Sequence, residues 1–149
     1  MKPLVVAIVL AAACSGTSKQ DTTGPGSGSG SAILAKKIAV GFGATQSGAS
    51  SEAFLQITDE TGKQTSYPVG SYDGACQVIA PAPEMKALAG LRCTAGTGGT
   101  ELHAVAADAA IVVLKLHVED GIAPDPMARE EIRRVPVPPG AAIEPAAQP

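Results

Sequence analysis

The sequence predicts a mainly β domain: a small antiparallel β-sandwich or open barrel with one short helix inserted and disordered termini. Three observations lead there. The segment IVVLKLHV at 111–118 alternates, with Val112, Leu114, Leu116 and Val118 on one face and Ile111, Val113, Lys115 and His117 on the other, which is the two-residue period of a strand. KKIAVGFGA at 36–44 alternates in the same way, with Ile38, Val40 and Phe42 on one side. EAFLQITDETGKQTSYPVG at 52–70 reads as two strands, Phe54–Thr58 and Gln64–Val69, around a DETG turn, the pattern of a hairpin.

The amino end carries a different signal. Lys2 is followed by PLVVAIVLAAA, an apolar run from Pro3 to Ala13 that is too short for the roughly 20 residues a membrane span needs. A positive start, a short apolar stretch and small residues at its end are the parts of a secretory signal peptide, which assigns 1–13 to a removable leader. The residues LAAAC, Leu10 to Cys14, resemble a bacterial lipobox, in which small residues precede a cysteine that receives diacylglycerol on sulfur before cleavage just ahead of it. Here Ala11 stands three positions before the cysteine, where leucine is usual. The resemblance implies that Cys14 is the lipidated first residue of the mature chain and that its partner is the membrane. Ser15, rather than an aspartate, follows the cysteine, and this implies the outer membrane facing the periplasm. Ala11 and Ala13 also satisfy the A-x-A rule, whose reading is a secreted soluble protein.

The chain has three cysteines. An odd number in an exported protein leaves one thiol to explain. Acylation of Cys14 removes it and leaves Cys76 and Cys93 to form a disulfide, a structural staple for a light core in an oxidising compartment. Their spacing is not the C-x-x-C of a redox pair.

Residues 14–31 read as the lipidated cysteine and a flexible tether, SGTSKQDTTGPGSGSGS after Cys14. This composition cannot bury enough apolar surface to offset its ordering entropy, and its root-mean-square reach is about 20 to 25 Å. The globular β-rich domain is expected over 32–122, with six to eight strands. CQVIA at 76–80 and LRCTA at 91–95 are short strand-length segments, and TAGTGGT from Thr94 is a hairpin spacer. Between them PEMKALAGL from Pro83 is the inserted helix, with proline placed to start it and Gly90 to stop it.

Residues 123–149 are expected to form a short charged helix and a Pro-rich tail. In DPMAREEIRR, Asp125 occupies a helix N-cap position and Pro126 the first helical one. VPVPPGAAIEPAAQP, with five prolines from Val135, supports neither a helix interior nor a central strand.

A net charge of −3, with basic residues clustered only as the pairs Lys36-Lys37 and Arg133-Arg134, argues against nucleic acid as a partner. Two tyrosines, two phenylalanines and no tryptophan make a poor stacking platform. No G-x-S-x-G, H-E-x-x-H or Walker-type loop occurs. GFGATQ at 41–46 lacks the third glycine of a dinucleotide fingerprint.

His103 and His117 could be combined with Cys76 and Cys93 as a Cys2His2 set. The gaps are far from the close pairs zinc sites use, so no metal is assigned. VEDG and DETG are read as turns rather than calcium loops. Paired strands are expected to set Glu101 opposite Lys115 or His117. SYDGAC at 71–76 puts Tyr72 and Asp73 beside a surface turn. The sequence therefore supports a membrane-anchored cell-envelope lipoprotein with no catalytic residues and no cofactor, a non-enzymatic interaction or structural module with an envelope protein as partner. The alternatives are a periplasmic small-ligand or metal-binding module using Tyr72, Asp73, His103 and His117, and a hydrolase dependent on a histidine.

Overall fold

Alternating apolar positions recur from Lys37 onward and dictate a succession of strands. The computed structural model describes residues 36–148; the leader 1–13, Cys14 and the tether to residue 31 lie outside the described residues. Among the described residues nine strands follow one another: β1 (Lys37–Ser47), β2 (Ser50–Asp59), β3 (Gln64–Asp73), β4 (Ala75–Ile79), β5 (Ala87–Ala95), β6 (Gly98–Ala107), β7 (Ala110–Glu119), β8 (Arg129–Pro136) and β9 (Ala142–Pro145). They form a four-stranded sheet in the order β3-β2-β1-β9 and a five-stranded sheet in the order β4-β5-β6-β7-β8. The fold is a small β-sandwich and not a closed barrel. All of these pairings are antiparallel except that of β1 with β9.

The core lies between the sheets. Ile38, Val40, Phe42, Ala53, Leu55, Ile57, Tyr67 and Val69 come from the first sheet, and Ala89, Leu91, Cys93, Leu102, Ala104, Ile111 and Val113 from the second. Each set occupies alternate positions, so one face of every contributing strand is apolar inward. Val135 and Val137 extend this core at the end of β8, where the Val137 N–H donates to the Ala109 carbonyl at 2.8 Å.

The sheets are joined where β3 passes into β4 through Gly74 alone. Gly74 has φ +81°, and a Cβ there would lie 1.7 Å from the Thr94 carbonyl oxygen. Only a residue without a side chain lets a strand change sheets at this corner. Ser51, 1 % exposed, pins the corner by donating its hydroxyl to the Gly74 carbonyl at 2.7 Å.

Cys76 and Cys93 are bonded, as expected. They stand directly opposite each other on β4 and β5, so the staple holds the five-residue β4 to the sheet.

Three expectations are corrected. The helix expected from Pro83 is a single 3-10 turn, Pro83–Met85, closed by Lys86 at φ 52°; its remaining residues enter β5. The charged helix expected after Asp125 does not form. Asp125 caps only a turn, accepting from the Met127 N–H at 2.8 Å, and Arg129–Pro136 pairs with β7 as β8. The tail is ordered as β9, beside β1.

Candidate functional site

Tyr72 and Asp73 are the last residues of β3 before the Gly74 corner. Opposite them, the β5–β6 hairpin and the end of β7 bring up Thr100 and His117, which are directly paired. Together with Ser71, Cys93, Gly98 and Gly99 these residues line an open cleft of about 390 Å3. Gly99 is dictated by packing, because a Cβ there would lie 2.2 Å from the Cys93 carbonyl oxygen. Cys93, one half of the disulfide, thus forms part of the wall.

The Tyr72 hydroxyl donates to the Val69 carbonyl at 3.0 Å. Burial pushes its pKa above the usual tyrosine value, and nearby Lys115 opposes this. The Lys115 ammonium lies 2.6 Å from Glu130 Oε2 on β8, and that hydrogen bond raises the lysine pKa. His117 is exposed, with Nε2 3.9 Å from Glu119 Oε1. The cleft offers hydroxyls, a carboxylate and an imidazole at an open mouth, a set suited to holding a small polar ligand by hydrogen bonds.

His103 is not part of it. It alternates along β6 with the core residues Leu102 and Ala104, so it lies on the face of the five-stranded sheet turned away from the cleft. There Glu101, 6 % exposed, and His103, 2 % exposed, are held together. Glu101 Oε2 is 3.0 Å from His103 Nε2, and Oε1 accepts from Arg92 Nε at 2.8 Å and from Arg92 Nη2. His103 Nδ1 has no hydrogen-bond partner among the described residues.

The expected opposition of Glu101 to Lys115 or His117 is overturned by the register, which pairs Glu101 with Leu116 and with Arg92. The carboxylate is committed to a guanidinium and an imidazole on its own sheet, an arrangement that orders strands.

Of the four sequence candidates, three therefore meet in the cleft and one does not. Nothing local in the sequence marks Thr100 for it, or Lys115 and Glu130 as neighbours of Tyr72, and only the strand register brings them near. The other cluster does have a sequence signal: an acid and a histidine two apart in a strand, with an arginine on the strand before. Among the described residues no group of three or more His, Cys, Asp or Glu side chains is placed to hold a metal ion, and Cys76 and Cys93 are consumed by their bond. The DETG acid is likewise satisfied locally: Asp59 Oδ1 accepts from Thr61 N–H at 2.9 Å, the Thr61 hydroxyl at 2.6 Å and Lys63 N–H at 3.0 Å. No described helix is long and apolar enough to cross a membrane. No family model matches the chain, and no curated protein or solved structure is significantly similar to it.

Proposed function

We propose that this chain is a cell-envelope lipoprotein, anchored through Cys14 to the outer membrane on its periplasmic side and carrying a β-sandwich that works as a non-enzymatic interaction module. The reading rests on one conjunction: an apolar leader ending in LAAAC and a Gly/Ser spacer precede a domain with a structural disulfide. A bond of that kind persists in oxidising compartments and is rare in a reducing cytosol. Two or more acyl chains on one residue give stable anchoring where a single chain is marginal, and the spacer leaves the domain free to meet a partner protein.

The test is the intact mass of the protein extracted from membranes in detergent without reductant. The expected mass is that of residues 14–149 plus acyl chains, less two hydrogens. A mass without acyl chains overturns the anchor.

A second reading is favoured by the convergence of Tyr72, Asp73 and His117 in one cleft: a small polar ligand bound between β3 and β7. A thermal-shift screen of metabolites tests it, because a ligand at 100 times its Kd adds about 2.7 kcal/mol. That shift should be lost in Asp73→Ala.

A further inference from the structure

β1 is eleven residues long, yet β9 covers only Lys37 to Val40 of its outer edge. The two-residue turn Gly48-Ala49 makes Ser47 and Ser50 the closing pair of the β1–β2 hairpin. In such a ladder alternate residues bond the partner strand, and those between them point away from it. The Lys36 and Val40 carbonyls accept from Ala142 and Ala146 N–H, both at 2.8 Å, which places Phe42, Ala44 and Gln46 in the outward phase. Beyond Val40 their backbone groups have no strand partner among the described residues.

The segment that occupies the first part of the edge leaves it early. Its last bond to β1 is the one from the Ala146 N–H to the Val40 carbonyl, after which the chain turns off to Ile79, whose carbonyl accepts from Gln148 Nε2 at 3.4 Å. Its hold is slight: Ile143 is partly buried against the core, and Glu144 meets Lys37 at 3.0 Å with both side chains about half exposed. Beside it, between the edges of the two sheets, lies a cleft of about 400 Å3 that includes Phe42, Val78 and Leu88, with Val78 44 % exposed.

We propose that the β1 edge is a strand-acceptor site for an extended segment of a second polypeptide, with Ala142–Ala146 as its internal placeholder. The placeholder shows the chemistry required: an acid within reach of Lys37, and an apolar residue turned to the core where Ile143 sits. A segment that continues along the edge gains the backbone bonds at Phe42, Ala44 and Gln46 that the placeholder forgoes, the added-strand mode of peptide recognition. This deepens the interaction-module reading and is independent of the anchor.

The experiment uses the full mature chain in detergent. The probe is a labelled peptide of residues 141–148 with Pro145→Val, extended by Val-Thr-Val, followed by fluorescence anisotropy. Saturable binding is expected. It should weaken about fivefold in Ala44→Pro, which removes one outward N–H while leaving the bonds to β2. It should tighten in Ile143→Ser, which loosens the placeholder, and follow charge when Lys37→Glu is paired with a peptide carrying Lys in place of its Glu. Unchanged melting of Ala44→Pro checks its fold. Absence of saturable binding to the Ile143→Ser chain, or binding indifferent to Ala44→Pro, overturns the site. Either result stands apart from the mass measurement, which bears on the anchor alone.

Discussion

Arg92 and Glu101 stand directly opposite each other on β5 and β6, and the guanidinium reaches one oxygen of a carboxylate that is almost fully buried. Removing the cation leaves that charge with only His103 beside it. Breaking a fully buried pair costs about 3 to 5 kcal/mol, and the partial exposure of Arg92 lowers this to about 2 kcal/mol. Urea denaturation of Arg92→Ala should show that loss, with a smaller one in the Arg92→Leu/Glu101→Leu double variant, where no charge is stranded. A double variant weaker than Arg92→Ala would mean that the ion pair itself stabilises the sheet.

The disulfide closes a loop with a sequence separation of 17. Constraining the unfolded chain over such a loop contributes about 3 kcal/mol. The Cys76→Ala/Cys93→Ala chain should lose that amount in the same titration. β4 should then exchange its amide hydrogens far faster than β7, because β4 is a sheet edge and β7 is flanked on both sides.

Two glycines at positive φ separate conformational strain from crowding. Gly48 has φ +62°, and a Cβ placed there would meet nothing within 4 Å, whereas at Gly74 the Thr94 carbonyl stands in the way. Gly48→Ala should cost about 1 kcal/mol. Gly74→Ala should cost about 3 kcal/mol, because the backbone of β5 must also move. Equal melting temperatures for the two variants would mean that the corner relaxes freely.

The Asp59 carboxylate is held below its ordinary pKa of 3.8, first by the Thr61 hydroxyl, which desolvation opposes, and then by the Lys63 and Thr61 N–H groups. A depressed folded-state value means that its contribution is present above the unfolded pKa and disappears as pH falls through the folded one. Asp59→Ala should therefore be less stable than the parent at neutral pH, and the difference should shrink as pH drops below 3.8. Denaturation midpoints of the two chains across that range provide the check.

The strands legible in the sequence are those whose alternation faces one core. Ile38, Val40 and Phe42 announce β1, and the two faces of 111–118 announce β7. Where propensity and pairing disagree, pairing decides. AREEIRR is rich in helix formers behind an N-cap aspartate, but the free edge of β7 takes it as a strand, with Ile132 and Val135 against the core.

PEMKALAGL fails as a helix because Lys86 adopts the left-handed conformation after one turn and its later residues are needed beside β6. The prolines of the tail point to a structureless segment, although an edge strand of four residues tolerates one. In the cleft, Tyr72 and Asp73 are visible in the sequence as a turn and His117 as a strand residue. Their proximity is not, since it depends on how two sheets stack. Arg92 and Glu101 meet because the two-residue turn Gly96-Thr97 closes the β5–β6 hairpin at Ala95 and Gly98, which fixes their register.

The order of pairing also bears on how the chain is made. From β1 to β8, each strand after the first pairs with its predecessor, except at the Gly74 corner, where β4 waits for β5. A polypeptide delivered amino end first can thus add one hairpin at a time, with short loops to close and little unpaired edge exposed to neighbours. β9 alone must return to a strand laid down at the outset, Lys37 meeting Ala142. Maturation should accordingly have a rapid, progressive phase followed by one slower docking step, and crowding by nascent copies would be most consequential in the interval between them.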